Sequence, residues 1–493
     1  MQRLAMLIGL IATGLVSAAP TYTKDVAPIL NKHCVACHRP GEIGPFSLMS
    51  YKDTAKRADF LADIVASRRM PPWHAEPGFG KFHGERRLTD AEIATFKEWA
   101  AAGAPEGAAK DLPATPTFAS GWKLGPPDLI IKMPKPFTVP ASGRDILQCF
   151  VMPIPIEDDK FVAAVDFHPG NRTVVHHVIF FLDASGQGRK KAGDSGSYRS
   201  FGGPGILPTG GLGAWVPGAN VLPYPDGVAT FLRKGSDMVM QVHFHPSGKE
   251  ETDQSEIGIY FAKKPVEKVI AGIGLRKGGL YIPAGEKNYR VSMQLEPLPA
   301  DVQVLSIAPH MHYIGREMKV VAQLPDKTET PLIWIKDWDF NWQGKYYFEK
   351  PVKLPKGTIV KMEASYDNSE DNPQNPSKPP KPVRWGEQTT DEMCLCGLQV
   401  VTDNKADMVK IARMSGSRLG TLLGGGVTPA DLPNLEKAGG GKPTDGIPIP
   451  ERFEKLLGRF DTNKDGKLSD AEIDAMPPAI RDKVREYVPK KEK

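Results

Sequence analysis

Cysteine is scarce in this chain: five among 493 residues, too few for a disulfide-framed scaffold. No dense lysine or arginine run precedes the tail "PKKEK", and the formal net charge is only +5, which argues against a nucleic-acid partner. No apolar stretch reaches the ~20 residues that a membrane-spanning helix needs; the run Leu4–Leu15 stops short of it. No internal repeat of fixed period is present, so a solenoid is not expected. What remains is ordinary: 40% hydrophobic and 25% charged residues, a composition of soluble globular proteins. The length exceeds one ordinary core, so several domains are expected.

The short apolar run has its own meaning. Gln2 and Arg3 precede it and "VSA" follows it, before Ala19. A basic start, an apolar middle and a small-residue end read as a signal peptide over 1–18. The mature protein is then exported, periplasmic or secreted, with no membrane span.

Beyond it the pattern changes four times. Residues 20–104 read as a small all-α domain: "DTAKRADFLADIVASR" has helical spacing, and "TDAEIATFKEWAAAG" opens with a Thr89–Glu92 capping box and closes on Gly103. An Ala/Pro-rich linker follows at 105–121; as a flexible tether it would span roughly 20–25 Å. Short β-branched and aromatic runs cut by Pro and Gly then predict two all-β sandwich domains, 122–270 and 271–420. A Gly-rich linker at 421–447 leads to a helical end, 448–490.

The helical start holds "CVACH", Cys34 to His38. This is the C-x-x-C-H arrangement that attaches c-type haem, with the cysteines bonding the vinyls and the histidine placed to ligate iron. A zinc site would need a second ligand pair nearby, and a thioredoxin-type motif would need a βαβ setting; both are missing. Haem c is therefore expected on Cys34, Cys37 and His38, in a domain that looks like a small cytochrome c. The opposing axial ligand is commonly methionine. Met70, in "SRRMPPWH", is the choice, held by Pro71 and Pro72; His74 and Met49 are its rivals. Once the haem takes two cysteines, Cys149, Cys394 and Cys396 can form at most one bridge.

Eleven histidines are present, and six fall in pairs: His176–His177 in "VVHHVIFF", His243 and His245 in "QVHFHPSG", His310 and His312 in "APHMHYIGRE". His-x-His on a strand aims both rings at one face, a natural metal pincer. Imidazole suits several metals, so histidine alone does not choose. Met393, in "TTDEMCLCGLQV", offers a thioether, a soft ligand that favours Cu(I). Adjacent His176 and His177 pose a problem, because neighbours on a regular strand point to opposite faces.

"VVHH", "QVHFH", "PHMHYIGRE" and "TTDEMC", in this order, resemble the copper type II, ascorbate-dependent monooxygenases, the family of dopamine β-hydroxylase and peptidylglycine α-hydroxylating monooxygenase. The resemblance covers roughly residues 122–402. It implies two jelly-roll-like β-domains facing one another across a cleft. It implies a first, electron-storing copper on His176, His177 and His243, and a second, oxygen-activating copper on His310, His312 and Met393. Both neighbours of the first pair would then serve one metal, which requires the strand to end or bulge at 176–177. His245 matches no required ligand. The implied activity is hydroxylation of a C–H bond of a small organic substrate by O2, with the tethered haem passing electrons from a protein or small-molecule donor to the first copper. The chain departs from the amidating members at Ala308, Leu395 and Gly397, where they place residues that hold the substrate, so a peptide C-terminus is not the expected substrate. A non-catalytic copper- or haem-carrying electron-transfer protein is the alternative, and an intact Met393 favours the enzyme.

Finally, "DTNKDGKLSDAE" matches the twelve-residue EF-hand loop, with Asp461, Asn463, Asp465, the Lys467 carbonyl and Glu472 as calcium ligands. Apolar segments flank it as a single helix–loop–helix requires.

Overall fold

The computed structural model describes residues 19–414 except 43, 119–120, 201–202, 218–220 and 387, and beyond them 426–427, 447–448, 460, 467–468, 472–473, 476, 480–481 and 484. The expected signal peptide and the expected calcium ligands Asp461, Asn463 and Asp465 lie outside these residues. Among the described residues no helix is long and apolar enough to cross a membrane.

The N-terminal unit is helical, with helices at Ala27–His33, Tyr51–Ala55, Ala58–Ala66 and Asp90–Ala101. The last begins where the capping box was expected. Thr89 accepts from the Glu92 amide at 3.2 Å, and the Glu92 carboxylate accepts from the Thr89 amide at 2.8 Å. The chain leaves this helix through Gly103, at φ +80°, a conformation open to glycine at little cost. Trp99, Phe96, Leu30 and Val35 are fully buried at the centre of the unit. Each such side chain contributes roughly 1.5–3 kcal/mol by leaving water.

Two β sandwiches follow, as the alternating runs predicted. In the first, a five-stranded sheet that includes Leu129–Lys132, Lys160–His168 and Glu256–Phe261 faces strands Ile146–Pro153, Val175–Asp183 and Asp237–Phe244. Ile131, Ile257 and Phe167 meet Phe150, Phe180 and Met240 in the core between them. Strand Asp237–Phe244 is buried along its whole length, because on the opposite face Ala192 and Ile206 pack over Val239, Cys149 and Phe181. In the second sandwich, the four strands Tyr289–Gln294, Gly315–Gln323, Glu329–Ile335 and Ile359–Tyr366 pack on Val302–His310, Ala271–Arg276 and Leu395–Val401.

Three features depart from the expected string of independent domains. First, the inner sheets of the two sandwiches belong to one ten-stranded sheet. The joint is Gly426–Val427, where Val427 pairs with Ala271 on one side and Gly210 on the other; that piece of the expected 421–447 linker is strand. Second, the helical unit is fastened to the second sandwich, more than 250 residues downstream. The Glu76 amide donates to the Trp334 carbonyl at 2.7 Å, His83 to Tyr347 at 2.8 Å, and Glu349 to Lys81 at 2.9 Å. Ala75 and Phe82 are buried in the second sandwich's core, with Trp73 packed against it. Third, the expected 105–121 tether is tied down at its start. Tyr22 and Thr23 donate to the carbonyls of Pro105 and Glu106, both at 2.9 Å, and Trp99 Nε1 donates to Pro105 at 3.0 Å. Phe118 packs on the helical core under the guanidinium of Arg39, 4.1 Å from its ring centre. A Pro-rich composition allows a free tether; backbone amides and buried aromatics hold this one.

At the C-terminal end, Lys467–Leu468 pairs with Ile447–Pro448. Leu468, Ile473 and Met476 make a small core with Phe460, Ile480 and Val484, and Glu472 is buried.

Candidate metal centre

The two sandwiches face a shared cleft of about 1080 Å³, and all six copper-ligand candidates line it: His176, His177, His243, His310, His312 and Met393. The first three form a cluster. Their potential ligand atoms all lie within 4.8 Å of one another, with Nδ1 of His177 3.2 Å from Nδ1 of His176 and 3.3 Å from Nδ1 of His243.

The local fold explains how adjacent histidines reach one point. Along strand Val175–Asp183, Val175 pairs with Phe244 and His177 with His243, and the register shifts between them. His176 is thus the extra residue of a bulge, which re-aims its ring. His243 is positioned by pairing on both sides, with Leu147 and His177. Behind it Asp145 places Oδ2 3.0 Å from His243 Nε2 and Oδ1 2.8 Å from His245 Nδ1. The Asp145 contact to His243 is at ion-pair distance without hydrogen-bond geometry, and Nδ1 of His243 faces the cluster. Burial pushes the Asp145 carboxyl up, but the two histidine contacts more than offset this and hold it at about 2. His245 itself is largely exposed and serves as the outer partner of that carboxylate.

The second group is built differently. His310 ends strand Val302–His310, paired with Leu395, and His312 follows just past the strand end. Nδ1 of His310 donates to the Gln343 side-chain carbonyl, and Nδ1 of His312 donates to the Asp391 backbone carbonyl at 3.1 Å. Both rings therefore keep Nε2 for a ligand, with ring centres 5.1 Å apart and planes at 87°. The turn is held by the fully buried Glu392, whose Oε1 accepts from the amides of His312 at 2.5 Å and Met393 at 2.8 Å. Burial pushes this carboxyl up to about 8 although backbone amides pull the other way. Met393 is buried against Leu395 and Trp385, and its carbonyl accepts from the Tyr366 hydroxyl at 2.9 Å.

Burial, then neighbouring imidazoles, lowers His176 and His312 to about 3 and His177 well below its ordinary range; burial lowers His310 to about 4. His176, His177, His310 and His312 are thereby kept neutral, which a cationic metal requires, since a ligating nitrogen must be deprotonated. The donor chemistry fits copper at both places, with nitrogen alone at one and nitrogen plus thioether at the other. Phe340 stands between them, stacked on His176 at 5.3 Å and 18° and edge-on to His312 at 5.6 Å and 82°.

A second cavity, about 880 Å³, lies beside Cys34, Cys37 and His38, within the ~300–1,000 Å³ range of ligand and cofactor pockets. His38 Nδ1 donates to the Phe46 carbonyl at 3.1 Å, leaving Nε2 for iron. Leu30, Leu61, Val65, Phe46 and Phe60 supply apolar walls, and Phe60 is 52% exposed there. Met70 lines this cavity, whereas Met49 packs on the helical core and His74 lines the other cleft. The residues thus fit a haem held by Cys34, Cys37, His38 and Met70. Burial raises both thiols, Cys34 to about 12, so they are protonated until bonded. All five cysteines are free, and the one bridge that sequence allowed is not made. The two cavities share a wall that includes Phe340, Trp342, Arg86 and the rings of His176 and His243.

Asp145, Gln343, Glu392 and Phe340 were not singled out from sequence. The only local signal was the position of Glu392 beside Met393.

No protein-family model matches this sequence, and no curated protein matches it. Among solved structures, PNGF-II is similar over 55% of this chain and 65% of its own length, under two thirds, at 12% identity and a TM-score of 0.24. The infectious bursal disease virus VP2 subviral particle matches over 59% and 76%, at 5% identity and a TM-score of 0.18. The PBSX exported protein XepA matches over 48% and 86%, at 9% identity and a TM-score of 0.15. At such scores none bears on what this protein does.

Proposed function

We propose that this is an exported, haem- and copper-containing monooxygenase that hydroxylates a C–H bond of a small organic substrate with O2. The observation that carries the reading is the pairing of a three-nitrogen histidine cluster with a His–His–Met set on opposite walls of one cleft. His176, His177 and His243 would hold the first copper through Nδ1; His310 and His312, through Nε2, would hold the second with Met393. Bound there, the metals would supply one-electron storage and O2 chemistry, and a haem on Cys34, Cys37 and His38 would supply single electrons from a protein or small-molecule donor.

The chain's own part is to position and to exclude. Asp145 fixes His243, and Gln343 and the Asp391 carbonyl fix His310 and His312; such partners set ring tautomer and raise ligand basicity. Glu392 holds the turn that carries His312 and Met393. Trp73 and Phe82, buried in or against the second sandwich, keep the haem cavity beside the copper cleft without reliance on a free tether. Calcium on the C-terminal loop, through Asp461, Asn463, Asp465, Lys467 and Glu472, completes the reading as a structural ion.

The test is metal analysis of the exported protein with pyridine haemochrome spectra and substrate-dependent O2 consumption. One c-type haem and two coppers per chain, with O2 uptake coupled to product, are expected. Metals without turnover would leave only an electron-transfer or copper-carrying protein.

A further inference from the structure

The charge of the copper cleft says what should enter it. Among the described residues that line it, three are basic, Arg86, Arg276 and Lys345, and none is aspartate or glutamate. A cleft lined by one sign of charge focuses field on ligands of the other sign. Lys345 is the most telling of the three. It lies two residues past Gln343, which holds His310, and it is half-buried in the cleft wall. Its ammonium makes no ion pair or hydrogen bond among the described residues; its one partner is the Tyr347 ring, 4.8 Å away. Burial pushes it down to about 7, as expected of an ammonium without a carboxylate nearby. An ammonium partly withdrawn from water without a counter-ion is costly unless a ligand completes it.

The other cations support the same reading. Arg86 has its Nε buried without a hydrogen-bond partner. Arg276 lies 4.1 Å above the ring of Trp385, and Trp385 packs against Met393. The rest of the wall is largely apolar, with Leu147, Ile179, Trp215 and Met293 among it.

We propose that the cleft binds a small organic carboxylate, with the acid group on Lys345 and an apolar body extending toward His310, His312 and Met393. The ligand class rests on the cleft itself; calling the ligand a substrate rests on the monooxygenase reading. The acid group would be held from the Gln343–Tyr347 segment, and not from the strand position two residues before His310, where Ala308 has nothing to offer.

The probe pair is 3-phenylpropionate and its neutral analogue 3-phenylpropionamide, titrated under anaerobic conditions into the full-length protein as isolated, by calorimetry. The acid should bind at least ~10-fold tighter than the amide, the difference that one charge-assisted hydrogen bond of about 1.5 kcal/mol supplies. Lys345→Met should bring the acid down to the amide's affinity, and Lys345→Arg should retain most of the preference. Equal binding of acid and amide, no measurable binding of either, or an acid preference that survives in Lys345→Met overturns the proposal. So does a preference that vanishes when copper is chelated, since the metal would then be holding the acid. Should Lys345→Met fail to fold, the wild-type comparison before and after chelation still decides. Acid binding on Lys345 without any turnover would defeat the monooxygenase reading alone. Hydroxylation of acid and amide with equal efficiency would defeat this inference alone.

Discussion

The two histidine groups differ in which ring nitrogen the protein keeps for itself. At the first, Asp145 stands at ion-pair distance from Nε2 of His243 and the Nδ1 atoms converge; at the second, Gln343 and the Asp391 carbonyl take Nδ1 and leave Nε2. The difference follows from the backbone. A bulge at the start of strand Val175–Asp183 turns His176 toward its neighbours, so that the nitrogens nearest the main chain meet. At the strand end, the Gln343 side chain and the Asp391 carbonyl take Nδ1 of both rings, so only the outer nitrogens could share a metal, and a third ligand would come from Met393, just before strand Leu395–Val401. The first arrangement is closed and nitrogen-only, suited to holding a charge. The second would add a soft ligand, Met393, and shares its cleft with Trp385 and Lys345, where a substrate would have room.

Breaking each group should have separate consequences. The largest effect is expected from ligand loss. His243→Ala should drop copper from two to one per chain, while Met393→Leu should keep the first copper and abolish turnover. Because Met→Leu conserves volume, stability should change by less than ~1.5 kcal/mol. Copper quantitation with electron paramagnetic resonance checks both; if either variant lost both coppers, the sites would not be independent. A smaller effect is expected one layer out. Asp145→Asn should weaken copper at the first site by about 10–100-fold and leave the second alone, and Gln343→Leu should do the reverse. Competition with a chelator measures each, and equal effects of either variant on both sites would erase the distinction drawn here.

The subtlest test is pH. His176, His310 and His312 have folded-state values of about 3 to 4, below their ordinary 6.5. Below pH 6.5 the unfolded chain therefore takes up protons that the folded, metal-free protein refuses. Stability fully present above pH 6.5 should be lost progressively as pH falls toward about 3. Thermal melts of copper-free protein should show this decline, and copper should move its onset to lower pH by holding the rings neutral. A flat profile from pH 6.5 to 4 would mean that the rings are not buried as described.

Much of this molecule was legible from local pattern. The Thr89–Glu92 box, the alternating β runs and the paired histidines are set by residues within a few positions of one another, and the bulge at His176 followed from requiring both neighbours on one metal. The partners were not legible. Glu392 reaches the amide of His312 across 80 residues and Gln343 reaches His310 across 33. A lone Glu or Gln looks the same in sequence whether it meets water or a ligand's far nitrogen. The expected linkers failed for the same reason: the Ala/Pro- and Gly-rich stretches around 105 and 427 look unstructured locally, yet distant backbone groups complete their hydrogen bonds.

By itself, then, the sequence determined the element types, the ordered donor set and the C-x-x-C-H placement, because spacing along a helix or strand converts directly into direction. Only the tertiary structure decided that the cavity beside Cys34, Cys37 and His38 and the cleft lined by the six candidate ligands share a wall, that the two sandwiches run on one sheet, and that Lys345 lines that cleft without a counter-charge. Those facts depend on which surfaces exclude water against each other. Burial of Phe82 in the far sandwich, and of Lys345 in an acid-free cleft, is a property of the packed whole that no stretch of chain carries alone.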